Sequence, residues 1–315
     1  MSAAAVVGFV LPVVGLGTAC GARSELDLPW SHGGGGAVPE DAGIDQDAPI
    51  DAPEDVPEDV PPDVPPECDS PDTTYIYVVT SELELLAFKP QSNGFESRGH
   101  LSCPASPGAT PFSMAVDRTG VAYVVYNDGE LFRVSTADAA CEETLFVAKE
   151  PDDGFAQFGM GFAADQDGLG ETLHVADINY TTVSKGLARI ATETFELTYI
   201  GPFSQNPGNV LELTPTGMGP LWGYFFNEPG PGGTLVQINT ETAAIEDAIP
   251  VTVGNNSSAL AVAWWGGFFY IFTNNSSGGT SVTRFDPETQ ATSVVANTGL
   301  QVVGAGVSTC APMTQ

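Results

Sequence analysis

Positive charge is scarce in this chain of 315 residues, in which 9 Lys and Arg residues stand against 40 Asp and Glu residues and the formal net charge is −31. A surface that binds nucleic-acid phosphates needs clustered cations, so this composition excludes a nucleic-acid-binding protein. The same acidity argues against adsorption to an anionic lipid surface through charge. After the N-terminal segment, no apolar run is long enough for a membrane helix.

Familiar catalytic motifs are missing as well. The chain has no G-x-S-x-G nucleophile elbow, no H-E-x-x-H zinc motif and no glycine-rich phosphate loop. Its 3 histidines lie at no metal-ligand spacing, and no C-x-x-C pair indicates zinc. His174 falls within an apolar segment, where we expect a buried histidine inside a sheet. The sequence therefore predicts architecture and location better than any reaction.

What is present begins with an apolar segment, AAAVVGFVLPVVGLGTA, which covers residues 3–19 and ends at Cys20. The segment contains Pro12 and is too short to span a membrane as a stable helix, which is typical of the apolar region of a secretory signal peptide. We assign residues 1–19 to a signal peptide, and the alternative is a small buried helix or strand.

The residues around Cys20 resemble a lipoprotein processing site. Leu16-Gly17-Thr18-Ala19-Cys20 is similar to the lipobox of bacterial lipoproteins, although Gly17 replaces a larger aliphatic residue and no Lys or Arg precedes the apolar run. The sequence Gly21-Ala22-Arg23-Ser24-Glu25-Leu26 resembles the mature start of myxobacterial lipoproteins. The resemblance implies an exported protein with a diacylglycerol on Cys20, anchored to the outer membrane or the cell surface. Two acyl chains would make that attachment stable.

Residues 20–72 are predicted to form a tether. From Gly33 the sequence is rich in Asp, Glu and Pro and poor in large apolar residues, as in AVPEDAGIDQDAPIDAPEDVPEDVPPDVPPECDSPD. Such a segment cannot bury enough surface to offset its ordering entropy, and we expect it to be disordered and extended. Binding of Ca²⁺ by its carboxylates is an alternative, but the spacing lacks the pattern of a calcium loop.

Residues 73–315 carry a repeat. One apolar strand pattern recurs about every 46 to 56 residues, at 84–89, 130–135, 186–191, 234–239 and 281–286. A more aromatic strand precedes each copy, a strand of small residues precedes most of those, and a plainer fourth strand such as 144–147 follows. Four antiparallel strands in each repeated unit predict an all-β fold, a β-propeller with small side chains on the innermost strands.

The two ends of the repeat predict how the ring closes. The first unit lacks an inner strand, while residues 302–307 form an inner strand with no partners after it. If the C-terminal strand completes the first blade, the propeller has five blades and no exposed sheet edge. A stack of separate sandwiches is the alternative. The stretch 115–124, AVDRTGVAYV, resembles the repeat units of secreted bacterial propellers of the NHL and YVTN type.

The cysteines are consistent with export. With Cys20 assigned to the lipid, four cysteines remain, and an oxidising compartment favours their pairing. Ring closure predicts that Cys310 lies beside Cys68, which leaves Cys103 for Cys141. The predicted strand register places those last two towards opposite faces of neighbouring blades, so that second pair remains open.

Candidate sites are few. Asp117, Asn209 and Glu212 lie on predicted inner strands, where some propeller lactonases bind a divalent cation, and they support a metal-dependent hydrolase as the alternative function. Asp165 and Asp167 lie in a D-x-D-G turn that suits either Ca²⁺ or a plain hairpin. We expect a non-enzymatic binding or scaffold module at the cell envelope. Its protein or glycan ligand would contact blade loops, for which the sequence offers 225–233 and 274–279.

Overall fold

The computed structural model describes residues 68, 71–150, 153–180, 183–205, 211–226, 232–253, 260–274 and 278–314. All described residues belong to one compact unit, Asp59–Gln315. The predicted signal peptide, Cys20 and most of the predicted tether lie outside the described residues. Within the described ranges, no helix is long and apolar enough to cross a membrane.

Five antiparallel sheets of four strands each form the blades of a β-propeller, which confirms the predicted fold. The blades have the strand orders β20-β1-β2-β3, β4-β5-β6-β7, β8-β9-β10-β11, β12-β13-β14-β15 and β16-β17-β18-β19, and we number them one to five. The strands are β1 (Ile76–Thr80), β2 (Glu84–Lys89), β3 (Gly94–His100), β4 (Pro111–Val116), β5 (Val121–Tyr126), β6 (Leu131–Ser135), β7 (Cys141–Glu143), β8 (Phe158–Ala164), β9 (Glu171–Asp177), β10 (Leu187–Ile190), β11 (Leu197–Gly201), β12 (Leu211–Pro215), β13 (Leu221–Phe226), β14 (Gly233–Ile238), β15 (Ile245–Val251), β16 (Leu260–Trp265), β17 (Phe268–Asn274), β18 (Thr280–Phe285), β19 (Thr292–Thr298) and β20 (Val302–Gly306).

The C-terminal strand closes the ring in blade one. Strand β20 pairs antiparallel with β1, with Val78 opposite Ala305. A disulfide between Cys68 and Cys310, with Cα atoms 5.2 Å apart, ties the same two ends together across 242 residues of sequence. A short 3₁₀ helix, Pro71–Thr74, leads into β1. Closure therefore leaves the first blade complete, as the orphan strand in the sequence predicts.

Small residues allow the inner strands to approach closely around the axis. A Cβ atom at Gly304 of β20 would lie 3.0 Å from the Cα atom of Ser113 on β4. A Cβ atom at Gly161 of β8 would lie 3.0 Å from the carbonyl carbon of Leu213 on β12. The backbone of each of these glycines thus packs directly against the neighbouring inner strand. A larger residue at either position would push the two blades apart.

The hydrophobic core lies between blades rather than at one centre. Tyr77 and Val79 of blade one pack with Met114 and Val124 of blade two, and comparable clusters fill the other interfaces. Most side chains of the inner three strands of each blade are therefore buried, whereas most side chains of the outermost strands β3, β7, β11, β15 and β19 are half-buried or exposed.

One fourth strand is shorter than expected. The sequence predicts a strand over 144–147, but β7 ends at Glu143, and Leu145 and Val147 are 75% and 72% exposed. The hydroxyl of Thr144 donates a hydrogen bond of 2.6 Å to the carbonyl oxygen of Leu131. The Thr144 side chain thus binds the carbonyl of the first residue of β6, and the backbone pairing with β7 stops there.

The second disulfide joins Cys103 to Cys141, with Cα atoms 5.0 Å apart, and links blade one to blade two. The register argument that placed these cysteines on opposite faces was wrong. Cys103 lies in a loop beyond the end of β3 at His100, so the alternation of that strand does not determine where its side chain points.

Candidate functional site

A hydrogen bond between side chains crosses the central channel. Ser113 on β4 of blade two donates to Glu212 on β12 of blade four, with Oγ and Oε2 2.7 Å apart, and both residues are buried. Blade three lies between these two blades, and its inner strand carries Gly161 there, which has no side chain to separate them. The channel is therefore occupied by protein at this level.

The crossing carboxyl group is chemically unusual. Burial raises the pKa of Glu212 well above its ordinary range, and the hydrogen bond from Ser113 only partly opposes that effect. Desolvation disfavours the charged form because the surroundings cannot replace water. Burial therefore favours the neutral form of Glu212, and a neutral carboxyl group is a poor ligand for a divalent cation.

Two of the three predicted channel residues, Asp117 and Glu212, are described, and they do not meet. Asp117 follows β4, and its Oδ1 accepts hydrogen bonds from the backbone N–H groups of Thr119 (2.9 Å) and Val121 (2.9 Å), which closes a turn. Glu212 contacts Ser113, four residues earlier along β4, which corresponds to about 13 Å along an extended strand. Asn209 lies outside the described residues.

The D-x-D-G motif forms the turn between β8 and β9. Asp165 Oδ1 accepts a hydrogen bond of 2.8 Å from the hydroxyl of Thr172, and Asp167 Oδ1 accepts one of 3.0 Å from the backbone of Leu169. No group of three or more His, Cys, Asp or Glu side chains in the described part of the chain is arranged to hold a metal ion. These contacts favour the hairpin interpretation.

One end of the channel is covered by residues 308–313, which we call the C-terminal cap. Within it, the Thr309 hydroxyl donates to Glu171 Oε2 at 2.8 Å, and Pro312 accepts from the backbone of Gly266 at 2.8 Å. Arg118 lies beneath the cap, 4% exposed, and its Nε donates to the Thr309 hydroxyl at 2.7 Å. The cap therefore contacts turns from several blades and closes this end.

Arg118 also joins the turns of blades two, three and four. Its backbone N–H donates to Glu171 Oε1 at 2.7 Å, and its guanidinium group donates to the carbonyl of Leu169 at 3.1 Å and to the sulfur of Met218 at 3.4 Å. In the sequence, Arg118 stands at a position of the repeat unit to which no function was assigned. The available signal was the small number of cationic residues, 9 Lys and Arg in the whole chain, which made a specific role for each of them a stronger expectation than in an average protein.

Glu171 titrates near neutrality. Burial raises its pKa from 4.5 to about 7, and this effect exceeds the opposing hydrogen bonds from Arg118 and Thr309. Glu171 also lines a cavity of about 380 Å³ together with Arg189 and Glu193, and this cavity brings solvent to the carboxyl group. The cap end of the channel thus contains a group whose charge changes in the physiological pH range.

A second cavity, of about 470 Å³, lies at the other end of blade three, and we call it the blade-three pocket. Because antiparallel strands reverse direction, the β9–β10 connection that carries Lys185 lies opposite to the capped end. The pocket is lined by Lys149, Asp153, Gly154, Phe155, Lys185, Leu197 and Tyr199. Its size suits a small organic ligand.

A buried carboxylate holds the frame of the blade-three pocket. Asp177 is 1% exposed; its Oδ1 accepts from the backbone of Phe155 at 2.6 Å, and its Oδ2 accepts from the backbone of Lys185 at 2.7 Å. Phe155 has a φ of 57°, which a bulky residue adopts only when its surroundings enforce it. A Cβ atom at Gly154 would lie 2.5 Å from Lys185 Cγ, so glycine leaves room for that lysine.

The lining combines an aromatic wall with two cations. Tyr199 is 53% exposed, its hydroxyl donates to the Lys185 carbonyl at 2.9 Å, and its ring packs edge-on against Phe155 with centroids 6.3 Å apart. The loops predicted to contact the ligand are instead 225–233 and 274–279, and the central residues of both, 227–231 and 275–277, lie outside the described residues. The pocket was missed because its walls come from segments that are distant in sequence.

Comparisons with known proteins report architecture only. No protein-family model matches the chain, and no curated protein matches it. Among solved structures, the chain is similar to TolB from Acinetobacter baumannii (10% identity, TM-score 0.40, covering 70% of this chain and 52% of that one). It is also similar to a structural genomics protein of unknown function from Bacteroides thetaiotaomicron (15% identity, TM-score 0.41, 71% and 58%) and to the Dos1 propeller (9%, 0.38, 67% and 52%). The chain spans about half the length of these proteins, and the likeness carries no information about ligand or activity.

Proposed function

We propose that this protein is a non-enzymatic binding module and that its ligand occupies the blade-three pocket. The observation that carries the proposal is the frame of that pocket, in which buried Asp177 holds two loops and a strained Phe155 around an open cavity. The channel offers less room, because Ser113 and Glu212 bridge it and the C-terminal cap covers one end. Because hydrogen bonds to Asp177 already hold the backbone of two lining residues, less ordering remains to oppose binding.

The test compares two Leu→Trp variants of the full chain. Leu197→Trp fills the blade-three pocket, whereas Leu145→Trp adds the same side chain at an exposed position on blade two. Each protein is incubated with envelope extract and washed, and retained small molecules are identified by mass spectrometry. We expect a compound that the unmodified protein and Leu145→Trp retain and that Leu197→Trp loses. Equal retention by all three would contradict the proposal.

We also propose that the module is attached to the cell envelope through a lipid on Cys20, with residues 20–72 as a spacer. Support comes from the lipobox-like sequence and from the four other cysteines, which form two disulfides, as expected in an oxidising compartment. Metabolic labelling with palmitate should mark the protein, and Cys20→Ala should abolish the label while Ser24→Ala retains it. A label that survives in Cys20→Ala would refute this anchor.

A further inference from the structure

We propose that the ligand of the blade-three pocket is a small amphiphilic anion, with one carboxylate, sulfonate or phosphate group on an apolar body. This inference rests on the proposed function, because it names the ligand class of the same pocket. Three features support it: the placement of the lysines, the apolar walls of the pocket and the charge of the remaining protein.

The lysines are concentrated at this pocket. The chain has three, Lys89, Lys149 and Lys185, and the last two line the cavity. Lys89 is paired with Glu96 on blade one. Among the described residues, neither Lys149 nor Lys185 forms an ion pair, so both ammonium groups are available to a ligand.

The charge of the pocket is opposite to that of the protein. Among the described lining residues, two lysines stand against one acidic residue, Asp153, in a chain whose formal net charge is −31, and the buried carboxylate of Asp177 already accepts hydrogen bonds from two backbone N–H groups. Elsewhere such a protein repels anions, and an anion would be held only where cations are locally in excess. Lysine acts as a point charge with three donors, so it accommodates a carboxylate, sulfonate or phosphate group without demanding one geometry.

The walls require an apolar body behind the anionic group. The apolar wall of the pocket consists of the side chains of Phe155, Leu197 and Tyr199. About half of the Tyr199 side chain is exposed to solvent. The Tyr199 hydroxyl already donates to the Lys185 carbonyl, which leaves the ring face for an apolar partner. A simple inorganic anion would leave these apolar walls in contact with water. A ligand that matches both the lysines and the walls therefore carries an anionic group and an apolar part in one molecule.

Two fluorescent probes test the inference on the full chain, because they share an aromatic body and differ in charge. 8-Anilinonaphthalene-1-sulfonate carries a sulfonate, and N-phenyl-1-naphthylamine is neutral. We expect saturable binding of the sulfonate probe that Lys149→Ala and Lys185→Ala each weaken about fivefold, whereas neutral-probe binding changes less than about twofold. Raising the salt from about 0.05 M to about 0.5 M should weaken only the sulfonate probe.

Lys89→Ala is the matched control, since it removes the same charge outside the pocket and should leave both probes unchanged. Equal effects of all three lysine variants would overturn the inference, because they would report overall charge rather than this pocket. If Leu197→Trp weakens both probes but Lys149→Ala and Lys185→Ala weaken neither, the pocket binds ligands without regard to charge. The proposed function then stands and the anionic ligand class is refuted. If neither probe distinguishes Leu197→Trp from Leu145→Trp, both proposals fail.

Discussion

Replacing Glu171 by Gln tests the electrostatics beneath the C-terminal cap. Gln keeps the shape of the side chain: its amide oxygen can still accept the hydrogen bond from the backbone N–H of Arg118, and its amide nitrogen, in the place of Oε2, can donate to the hydroxyl oxygen of Thr309. It removes the titration of a carboxyl group whose pKa is about 7 in the folded protein, against an ordinary value of 4.5. Comparison of the variant with the unmodified protein therefore isolates one proton-binding site.

The sign and size of the contribution of Glu171 to the pH dependence of the unfolding free energy follow from proton linkage. A raised pKa means that the folded protein keeps a proton that the unfolded chain has released, so the folded state is destabilised as the pH rises from about 4.5 to about 7. One pKa unit corresponds to about 1.4 kcal/mol, so the unmodified protein should lose about 3 kcal/mol of unfolding free energy over this window through Glu171. The side chain is only 13% exposed, which supports use of the full value. The Glu171→Gln substitution should abolish that loss.

The assay is chemical denaturation of the full, disulfide-intact chain, followed by tryptophan fluorescence at intervals between pH 4 and pH 8. His174 contributes a slope of the opposite sign, because burial lowers its pKa to about 4 and the unfolded chain gains a proton first as the pH falls below 6.5. That contribution cancels when the variant is subtracted from the unmodified protein. Glu193→Gln is the control, since it lines the same cavity from an exposed position.

Two outcomes would refute the reasoning. A difference between Glu171→Gln and the unmodified protein that stays constant from pH 4 to pH 8 would show that burial does not raise this pKa. A difference that favours the unmodified protein increasingly as the pH rises would show that attraction to Arg118 outweighs desolvation and lowers the pKa instead.

Two further predictions concern ring closure and the inner strands. Replacing Cys68 and Cys310 together by Ser removes a link across 242 residues and should lower the unfolding free energy by about 5 kcal/mol, measured by denaturation against the reduced and oxidised parent. No change between the variant and the oxidised parent would show that the bond does not stabilise closure. Gly161→Ala places a Cβ atom 3.0 Å from the Leu213 backbone and should cost about 1–3 kcal/mol, whereas Gly299→Ala, with nothing within 4 Å, should cost less than about 1 kcal/mol; similar thermal midpoints for the two variants would contradict close packing of the inner strands.

The sequence predicted the propeller because local patterns repeat in it. Strands with small residues, aromatic strands and turn residues follow each other in the same order in most units, and each of these signals acts over a few residues. Asp286, for example, accepts hydrogen bonds from the backbone of Glu288 and Thr289, as its position in a predicted turn requires. The missing strand in the first unit and the spare strand near the C-terminus were enough to predict closure.

The candidate site could not be predicted in the same way. Arg118 meets Glu171 across 53 residues and Thr309 across 191 residues, and those contacts depend on how the turns of different blades converge. The blade-three pocket likewise combines residues near 150 with Tyr199. Such contacts arise from the path of irregular segments, which neither strand periodicity nor composition determines. The loop that carries Cys103 misled the disulfide interpretation for the same reason.

Strand β20 belongs to blade one but comes after the other four blades in the sequence, and this order has a consequence for biosynthesis. A ribosome makes β1, β2 and β3 of blade one before the other four blades, and makes the inner strand of blade one after them. Until Val302–Gly306 emerges, β1 presents an unpaired edge that can attach to another nascent copy. A stop codon just before Val302 would remove this strand, one disulfide partner and the cap at once, so late truncations should be as harmful as early ones.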